Sequence, residues 1–195
     1  MKMKSLTGKW LAVLLLAGGL SQIANAAEPT AFDLVKEGNR HLGEEAKGRV
    51  VQIRSEKSVG GLTPNIWFVV YYDPDATAKA TEIKFAAGTK VSVKRPARVL
   101  ESFGGSYREL PKEKLKIDSD DAIEVAKNEP LIKNLTLTNT ELKLERGEGD
   151  QPVWKVKLWA AKIRKPSDTV NIGEIHISAE DGKVVKNDLK PGRLD

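Results

Sequence analysis

The 195-residue chain contains no cysteine and only two histidines. The absence of cysteine excludes disulfide bonds, thiolate nucleophiles and cysteine-ligated zinc or iron–sulfur centres. Two histidines leave little for a histidine-based metal site. The sequence also has neither a glycine-rich phosphate-binding loop nor a G-x-S-x-G nucleophile motif. We therefore expect no catalytic residues, no metal and no cofactor, and hence a protein that is not an enzyme.

The first 26 residues have the three parts of a secretory signal peptide. The first nine residues contain three lysines and no acidic residue, residues 10–20 form an apolar run, and residues 24–26 read Ala-Asn-Ala. The apolar run is about half of the ~20 residues needed to span a bilayer. We expect cleavage after Ala26, no stable membrane insertion afterwards, and a periplasmic or secreted mature protein.

The net charge of +5 by itself suggests nucleic acid or an anionic membrane as a partner. Three of the positive charges belong to the signal-peptide segment, which contains no acid. Its removal lowers the net charge from +5 to +2. The remaining charges alternate in sign along the chain, so we expect no nucleic-acid partner.

The rest of the chain consists of two similar series of patterns. Each series has a helical pattern, a strand, a proline-containing turn, a strand that starts at tryptophan, another strand, a glycine-led turn and a last strand. The two series are offset by 87 residues at Trp67 and Trp154 and by 94 residues at Gly88 and Gly182, as loop insertions would produce. Such a recurrence predicts an internal duplication.

These patterns predict an α+β fold of two tandem repeats, each a helix packed on a curved four-stranded antiparallel sheet. The helices are predicted within residues 32–48 and 119–134, and Pro130 limits the second one to two or three turns. The predicted boundaries are residues 1–26 for the signal peptide, 27–100 for the first repeat, 101–117 for a linker and 118–195 for the second repeat.

Three short segments of the second repeat carry a family resemblance. They are Asp-Ala-Ile at residues 121–123, Trp-Lys-Val at residues 154–156, and residues 174–184, where Glu-Ile-His-Ile leads to Asp-Gly-Lys-Val. With these segments the second repeat resembles the PepSY domain family. The first repeat matches more loosely, because Ala87 stands where the second repeat has Asp181. The resemblance implies a cystatin-like fold and implies peptidase inhibition or other protein binding, without catalytic residues.

Alternation along the tryptophan strands predicts which side chains face away from the helices. In the second repeat, the inward set is Trp154, Val156, Leu158 and Ala160. The outward set is basic with one aromatic residue: Lys155, Lys157, Trp159 and, on the next strand, His176. The same phase in the first repeat turns Trp67, Val69 and Tyr71 inwards and Phe68, Val70 and Tyr72 outwards, with Lys84 beside them.

Three large apolar or aromatic side chains in a row on an outer face predict that something covers them. Either the two repeats pack against each other there or a partner protein docks there, and the sequence leaves both open. Aromatic residues beside Lys or Arg are typical interface anchors. We therefore predict a binding surface formed by Phe68, Tyr72, Lys84, Lys155, Lys157, Trp159 and His176.

The sequence thus favours an exported, non-enzymatic module that binds a protein or peptide partner. Inhibition or modulation of a peptidase is the specific form that the PepSY resemblance implies. The alternative is a periplasmic carrier that holds a small ligand or an ion in the cleft between the repeats, lined by Phe68, Tyr72 and Trp159. A hydrolase would need a pair of carboxylates inside such a cleft.

Overall fold

The computed structural model describes residues 28–96 and 108–194. The first half of the described chain comprises α1 (Ala31–Gly38), β1 (Val50–Ser55), β2 (Ile66–Tyr72), β3 (Ala80–Ala86) and β4 (Thr89–Lys94). The second half comprises α2 (Ser119–Lys127), β5 (Leu137–Arg146), β6 (Pro152–Ala161), β7 (Thr169–Ser178) and β8 (Val184–Asn187). The predicted signal peptide and residues 101–107 of the predicted linker lie outside the described residues.

All eight strands belong to one antiparallel sheet in the order β4-β3-β2-β1-β5-β6-β7-β8. The predicted fold class, an α+β protein of two tandem helix-plus-four-strand repeats, is therefore wrong. The structure is mostly β, with two helices of only 8 and 9 residues. The reason is that β1 pairs with β5, at Ile53–Leu144 and Arg54–Lys143, and joins all the strands into one sheet. Hydrophobic patterns are local, so they do not reveal a pairing between strands so far apart in sequence.

Serine hydroxyls extend the contact between β1 and β5, which we call the seam, beyond this short backbone pairing. The Ser55 hydroxyl accepts a hydrogen bond from the backbone N–H of Leu142 at 2.9 Å. Ser58, in the loop after β1, makes two hydrogen bonds with the backbone of Thr140. Its N–H donates to the Thr140 carbonyl and its hydroxyl accepts from the Thr140 N–H, both at 2.8 Å. These serines give partners to buried polar groups of β5, which would otherwise destabilise the fold.

The starts of the two helices are tied to each other by the polar residues that cap α2. The Asp118 carboxylate accepts from the backbone N–H of Ser119 at 2.6 Å, as an N-cap does. The same carboxylate accepts from the N–H of Phe32 at 3.1 Å, and the Ser119 hydroxyl accepts from the N–H of Ala31 at 3.0 Å. Burial raises the pKa of Asp118 above its ordinary value despite these bonds. The Asp118 carboxylate and the Ser119 hydroxyl therefore tie the start of α1 to the start of α2.

The first helix is shorter than the sequence predicts, whereas the second has the two or three turns that the sequence predicts. A Cβ at Gly38 would lie 2.1 Å from the hydroxyl oxygen of Tyr71, which itself donates to the Val35 carbonyl at 3.1 Å. This close approach fixes the end of α1 against β2, and the chain continues in short 3₁₀ turns. In the second half, α2 ends three residues before Pro130, as the limit set by that proline predicts.

The core lies between the two helices and one face of the sheet, and it is shared by both halves. The inward-facing set is confirmed, because all the residues predicted to face the helices are buried: Trp67, Val69, Tyr71, Trp154, Val156, Leu158 and Ala160. The ring of Phe32 on α1 packs 6.3 Å from the ring of Trp154 on β6. The first helix thus contacts the second half of the sheet directly.

Candidate functional site

The opposite face of the sheet, which we call the outer face, carries the seven residues of the predicted binding surface. Phe68 on β2 and Lys84 on β3 are cross-strand neighbours, and so are Lys155 on β6 and His176 on β7. The structure thus brings the predicted residues to one face and distributes them over four strands and both sides of the seam: Phe68, Tyr72, Lys84, Lys155, Lys157, Trp159 and His176.

Phe68 is held between two cations of the chain itself. The guanidinium carbon of Arg54 lies 4.0 Å from the ring centroid, and the ammonium nitrogen of Lys84 lies 5.0 Å from it. Carboxylates fix both cations: Arg54 pairs with Glu82 at 2.5 Å and Lys84 with Glu56 at 3.1 Å. Such cation–π contacts stabilise an exposed ring by roughly 0.5–1 kcal/mol.

The other two aromatic rings of the outer face are capped in the same way. The Arg49 guanidinium lies 4.2 Å from the ring centroid of Tyr72 and pairs with Glu109 at 2.7 Å. The Lys57 ammonium lies 4.7 Å from the ring centroid of Trp159. At all three rings the cover comes from cations of this chain: Phe68 and Tyr72 are covered from within the first half, whereas Trp159 is covered by Lys57 from the other half. The sequence named Lys84 on β3 but missed Arg49, Arg54 and Lys57, which lie on β1 and in its flanking loops.

The apolar run along β2 is less exposed than its alternation indicates. Val70 has no exposed surface, and it lies between its cross-strand neighbours Gln52 and Glu82. Phe68 and Tyr72 are half-buried. The outer face therefore has no continuous apolar patch on β2.

Each predicted basic residue of the second half has a carboxylate partner. The pairs are Lys155–Glu145 at 2.6 Å, Lys157–Glu141 at 2.9 Å and His176–Glu174 at 2.6 Å. The sequence predicted a basic face here, whereas in the structure acidic residues lie between the basic ones. The surface carries paired charges of both signs rather than a positive field.

Glu145 stands at the centre of these charges, beside the seam. Its carboxylate contacts Lys143 at 2.5 Å and Lys155 at 2.6 Å, and the amide of Gln52 on β1 donates to it at 3.2 Å. Burial raises the pKa of Glu145, but the two lysines lower it more, so the net pKa lies below the ordinary value. The ionised carboxylate therefore connects the two halves of the outer face.

A cleft opens on the other side of the molecule, between α1 and the segment 110–115 that leads towards α2. It has a volume of about 330 Å³. Its lining is apolar with two lysines, an asparagine and a glycine: Phe32, Val35, Lys36, Asn39, Gly48, Val50, Leu110, Lys112 and Leu115. Phe68, Tyr72 and Trp159 do not line this cleft, in contrast to the sequence expectation for a ligand site.

A second, acidic depression lies between α2 and the hairpin of β7 and β8. It is lined by Asp121, Glu124 and Asp181 among others. Lys127 pairs with Glu124 at 2.6 Å, and Lys183 pairs with Asp181 and lowers the pKa of that carboxyl to about 2. Within residues 28–96 and 108–194, no group of three or more His, Asp or Glu side chains is arranged to hold a metal ion.

Comparison with known proteins gives no relative from which a role could be transferred. No protein-family model matches the chain, and no curated protein and no solved structure matches it. The PepSY resemblance therefore stays a prediction. Among the described residues, neither helix has the length and apolar character that crossing a membrane would require.

Proposed function

We propose that this chain is a non-enzymatic binding module that holds a protein or peptide partner on the outer face of its sheet. The observation that carries the proposal is the set of three aromatic rings on that face, Phe68, Tyr72 and Trp159, each with an Arg or Lys over it. Aromatic residues and arginine are the residue types that contribute most to binding energy at protein interfaces.

The size of the outer face suits such a partner. Eight strands spaced about 4.8 Å apart span roughly 34 Å, and a seven-residue strand such as β2 is about 23 Å long. The area of the outer face, the product of these two lengths, is close to the roughly 800 Å² that each partner contributes to a standard interface. A single folded domain or an extended peptide laid across the strands would therefore find sufficient area.

The cation–aromatic pairs are arranged before a partner arrives, which reduces the entropy lost on binding. Arg54 and Lys84 are already fixed by carboxylates, so docking on Phe68 orders few additional side chains. Because charges of both signs alternate on the face, the favoured partner also presents both signs, in a complementary arrangement. The signal-peptide pattern supports an exported location for this binding.

Peptidase inhibition is the specific form of binding that the PepSY resemblance supports. The mechanism would be steric, with the outer face covering the substrate cleft of the peptidase. This form needs no nucleophile or acid–base pair on the chain itself.

Cross-linking from defined positions tests the proposal, and the absence of cysteine makes single-cysteine labelling selective. Lys157→Cys places a photo-cross-linker on the outer face, and Lys127→Cys places it on α2, on the other side of the sheet. The two lysine side chains are equally exposed, at 42%, so they form a matched pair. We expect one discrete partner to be captured from an extracytoplasmic extract by the first variant and not by the second.

A Trp159→Ala variant then measures the aromatic contribution in the Lys157→Cys background. We expect the cross-link yield to fall at least fivefold while the free energy of unfolding in urea falls by no more than about 1 kcal/mol, as the loss of the Lys57–Trp159 contact predicts. Equal capture from both cysteine positions, or a yield that follows stability alone, would contradict binding through the outer face.

Carrying a small ligand is a second candidate function, favoured by the cleft between α1 and the segment 110–115. This cleft is separate from the outer face, so the two functions do not exclude each other.

A further inference from the structure

We infer that the cleft between α1 and the segment 110–115 binds a small amphipathic carboxylate, such as a medium-chain fatty acid. The inference rests on the second proposed function, the carrying of a small ligand, and it names the site and the chemical class of that ligand. Its support comes from the apolar lining, the position of one lysine and the volume of the cleft.

The floor of the cleft is apolar and remains partly open to water. Val50 and Leu110 are buried beneath it, and the Leu110 N–H donates to the Val50 carbonyl at 2.7 Å, which fixes the segment against β1. Phe32, Val35 and Leu115 are only partly buried at its walls. An alkyl chain that displaces water from these side chains gains the free energy of apolar burial.

The charged residues that line the cleft are both cations. Lys36 pairs with Asp33 at 2.9 Å, which leaves its charge largely compensated. Lys112 makes no ion pair with any residue of the described ranges. Since none of the described residues that line the cleft is acidic, its charge favours an anion over a neutral or cationic ligand.

The Lys112 ammonium lies beside the backbone of Gly48, where glycine leaves room for it at the edge of the apolar floor. Gly48 has a φ of +67°, and a Cβ built there would lie 2.9 Å from the Lys112 nitrogen. The Asn39 side-chain oxygen accepts from the Gly48 N–H at 2.7 Å and keeps this turn in place. An apolar floor, with an ammonium at its edge that has no carboxylate partner among the described residues, is complementary to a molecule with an alkyl chain and a carboxylate head.

The volume limits the ligand to a small one. About 330 Å³ lies at the lower end of the roughly 300–1,000 Å³ that ligand pockets occupy. The chain length of octanoate is therefore a suitable probe, and 1-octanol is its neutral counterpart. The pair separates the contribution of the carboxylate from that of the alkyl chain.

Isothermal titration of the mature protein with octanoate and with 1-octanol, both below the concentrations at which they aggregate, tests the inference. We expect saturable one-to-one binding of octanoate and weaker binding of octanol. Lys112→Gln should weaken octanoate binding about tenfold, as expected for a hydrogen bond to a charged group, and leave octanol unchanged. The matched control is Lys114→Gln, whose ammonium lies 2.9 Å from Gln151 and does not line the cleft; it should change neither affinity.

Filling the cleft locates the site independently of charge. Leu115→Trp should abolish the binding of both probes, and the smaller change Val35→Phe should weaken both, while circular dichroism stays native. Occupancy should also change the fluorescence of Trp154, because Phe32 connects the cleft wall to that ring.

The outcomes separate this inference from the functions proposed above. Equal affinity for octanoate and octanol, or equal effects of Lys112→Gln and Lys114→Gln, would overturn the carboxylate class while the carrier function stands. No saturable binding of either probe would overturn the site together with the carrier function. Neither result would affect binding on the outer face, which the cross-linking experiment tests separately.

Discussion

Individual side chains provide much of the connection between the two halves of this sheet. Backbone pairing between β1 and β5 covers two residue pairs, and from there the hydroxyls of Ser55 and Ser58 bond to the backbone of β5. On the outer face, the Glu145 carboxylate likewise connects the two halves, because it accepts a hydrogen bond from the Gln52 amide across the seam. A few polar groups therefore carry a disproportionate share of the contact between distant parts of the chain.

Ser58→Ala tests the seam at a single residue. The substitution leaves the Thr140 N–H without its side-chain acceptor in a buried position, because Ser58 is 1% exposed and Thr140 is fully buried. We expect the free energy of unfolding to fall by about 1–3 kcal/mol in urea titrations. Ser167→Ala is the control, since its hydroxyl is exposed and bonds only to its neighbour Asp168; an equal loss in both variants would contradict the role of the seam.

Glu145→Gln tests the charge at the seam through pH. The pKa of Glu145 lies below its ordinary value of 4.5, so its stabilising effect is fully present above that pH and is lost as the pH falls through the lowered pKa. We expect the variant to be about 1 kcal/mol less stable at pH 7 and the difference to shrink below pH 4.5.

Urea titrations of both proteins between pH 7 and pH 3 provide the measurement for this variant. Glu113→Gln, at an exposed position of the segment before α2, is the control variant, and an equal loss of stability in both variants would contradict a specific role of Glu145. A deficit that is constant from pH 7 to pH 3 would mean that Glu145 acts through its shape and not through its charge.

At the scale of elements, one irregularity in β7 shapes the edge of the sheet. Between the pairs Leu158–Gly173 and Trp159–Asn171 the register shifts, which inserts Ile172 as an extra residue. Gly173 adopts a φ of +114°, and its missing Cβ would lie 2.3 Å from the carbonyl oxygen of Asp188. The bulge thus lets the chain after β8 approach the backbone of β7 closely.

Gly173→Ala should therefore destabilise the protein strongly, by about 3 kcal/mol or more, because it adds both backbone strain and a clash with backbone atoms. Gly149→Ala is the matched control: Gly149 also has a positive φ, of +64°, but a Cβ there meets nothing within 4 Å. We expect it to cost only about 1 kcal/mol. Thermal unfolding followed by circular dichroism distinguishes the two, and similar melting temperatures would show that the close approach is unimportant.

The strands could be predicted from the sequence because their signal is local. The alternation at Trp67 and at Trp154 identified β2, β6 and their buried faces, since each pattern depends only on residues two apart. The end of α1 could not be predicted, because it depends on contact between Gly38 and Tyr71. That contact joins elements which the sequence does not place beside each other.

The candidate site, too, could be predicted from the sequence only in part. Alternation correctly assigned Phe68, Lys155 and Trp159 to one face, but it gave no information about what lies on them. Of the capping cations only Lys84 was predicted; the other three come from β1 and its loops, and their positions follow from the strand order. The cleft beside α1 was not predicted from its residues, because Leu110 and Leu115 stand in a stretch that reads as a charged connector.

At the scale of the whole molecule, the described chain has one core rather than two. The buried cluster contains residues of α1, α2 and strands on both sides of the seam. Opening either half would expose apolar surface of the other, so the free energy of local opening should approach that of global unfolding in both halves. This follows from the shared core rather than from the seam alone.

Hydrogen exchange tests this unity of the fold. We expect the slowest amides of β2 and of β6 to show the same free energy of opening, within about 1 kcal/mol, and to respond equally to low urea concentrations. Mass spectrometry of peptides that cover the two strands provides the measurement. If β2 became unprotected at urea concentrations that leave β6 intact, the halves would be independent folding units.

The seam joins residues 52–58 to residues 139–145, and nothing in these contacts requires that both segments belong to the same molecule. Two copies could exchange halves and rebuild every bond of the seam twice, as a domain-swapped dimer. Within one chain the two segments meet at an effective concentration of about millimolar. The monomer therefore predominates as long as the protein concentration is well below that value. Concentrated samples refolded from urea are therefore where a dimer with an unchanged circular dichroism spectrum should accumulate.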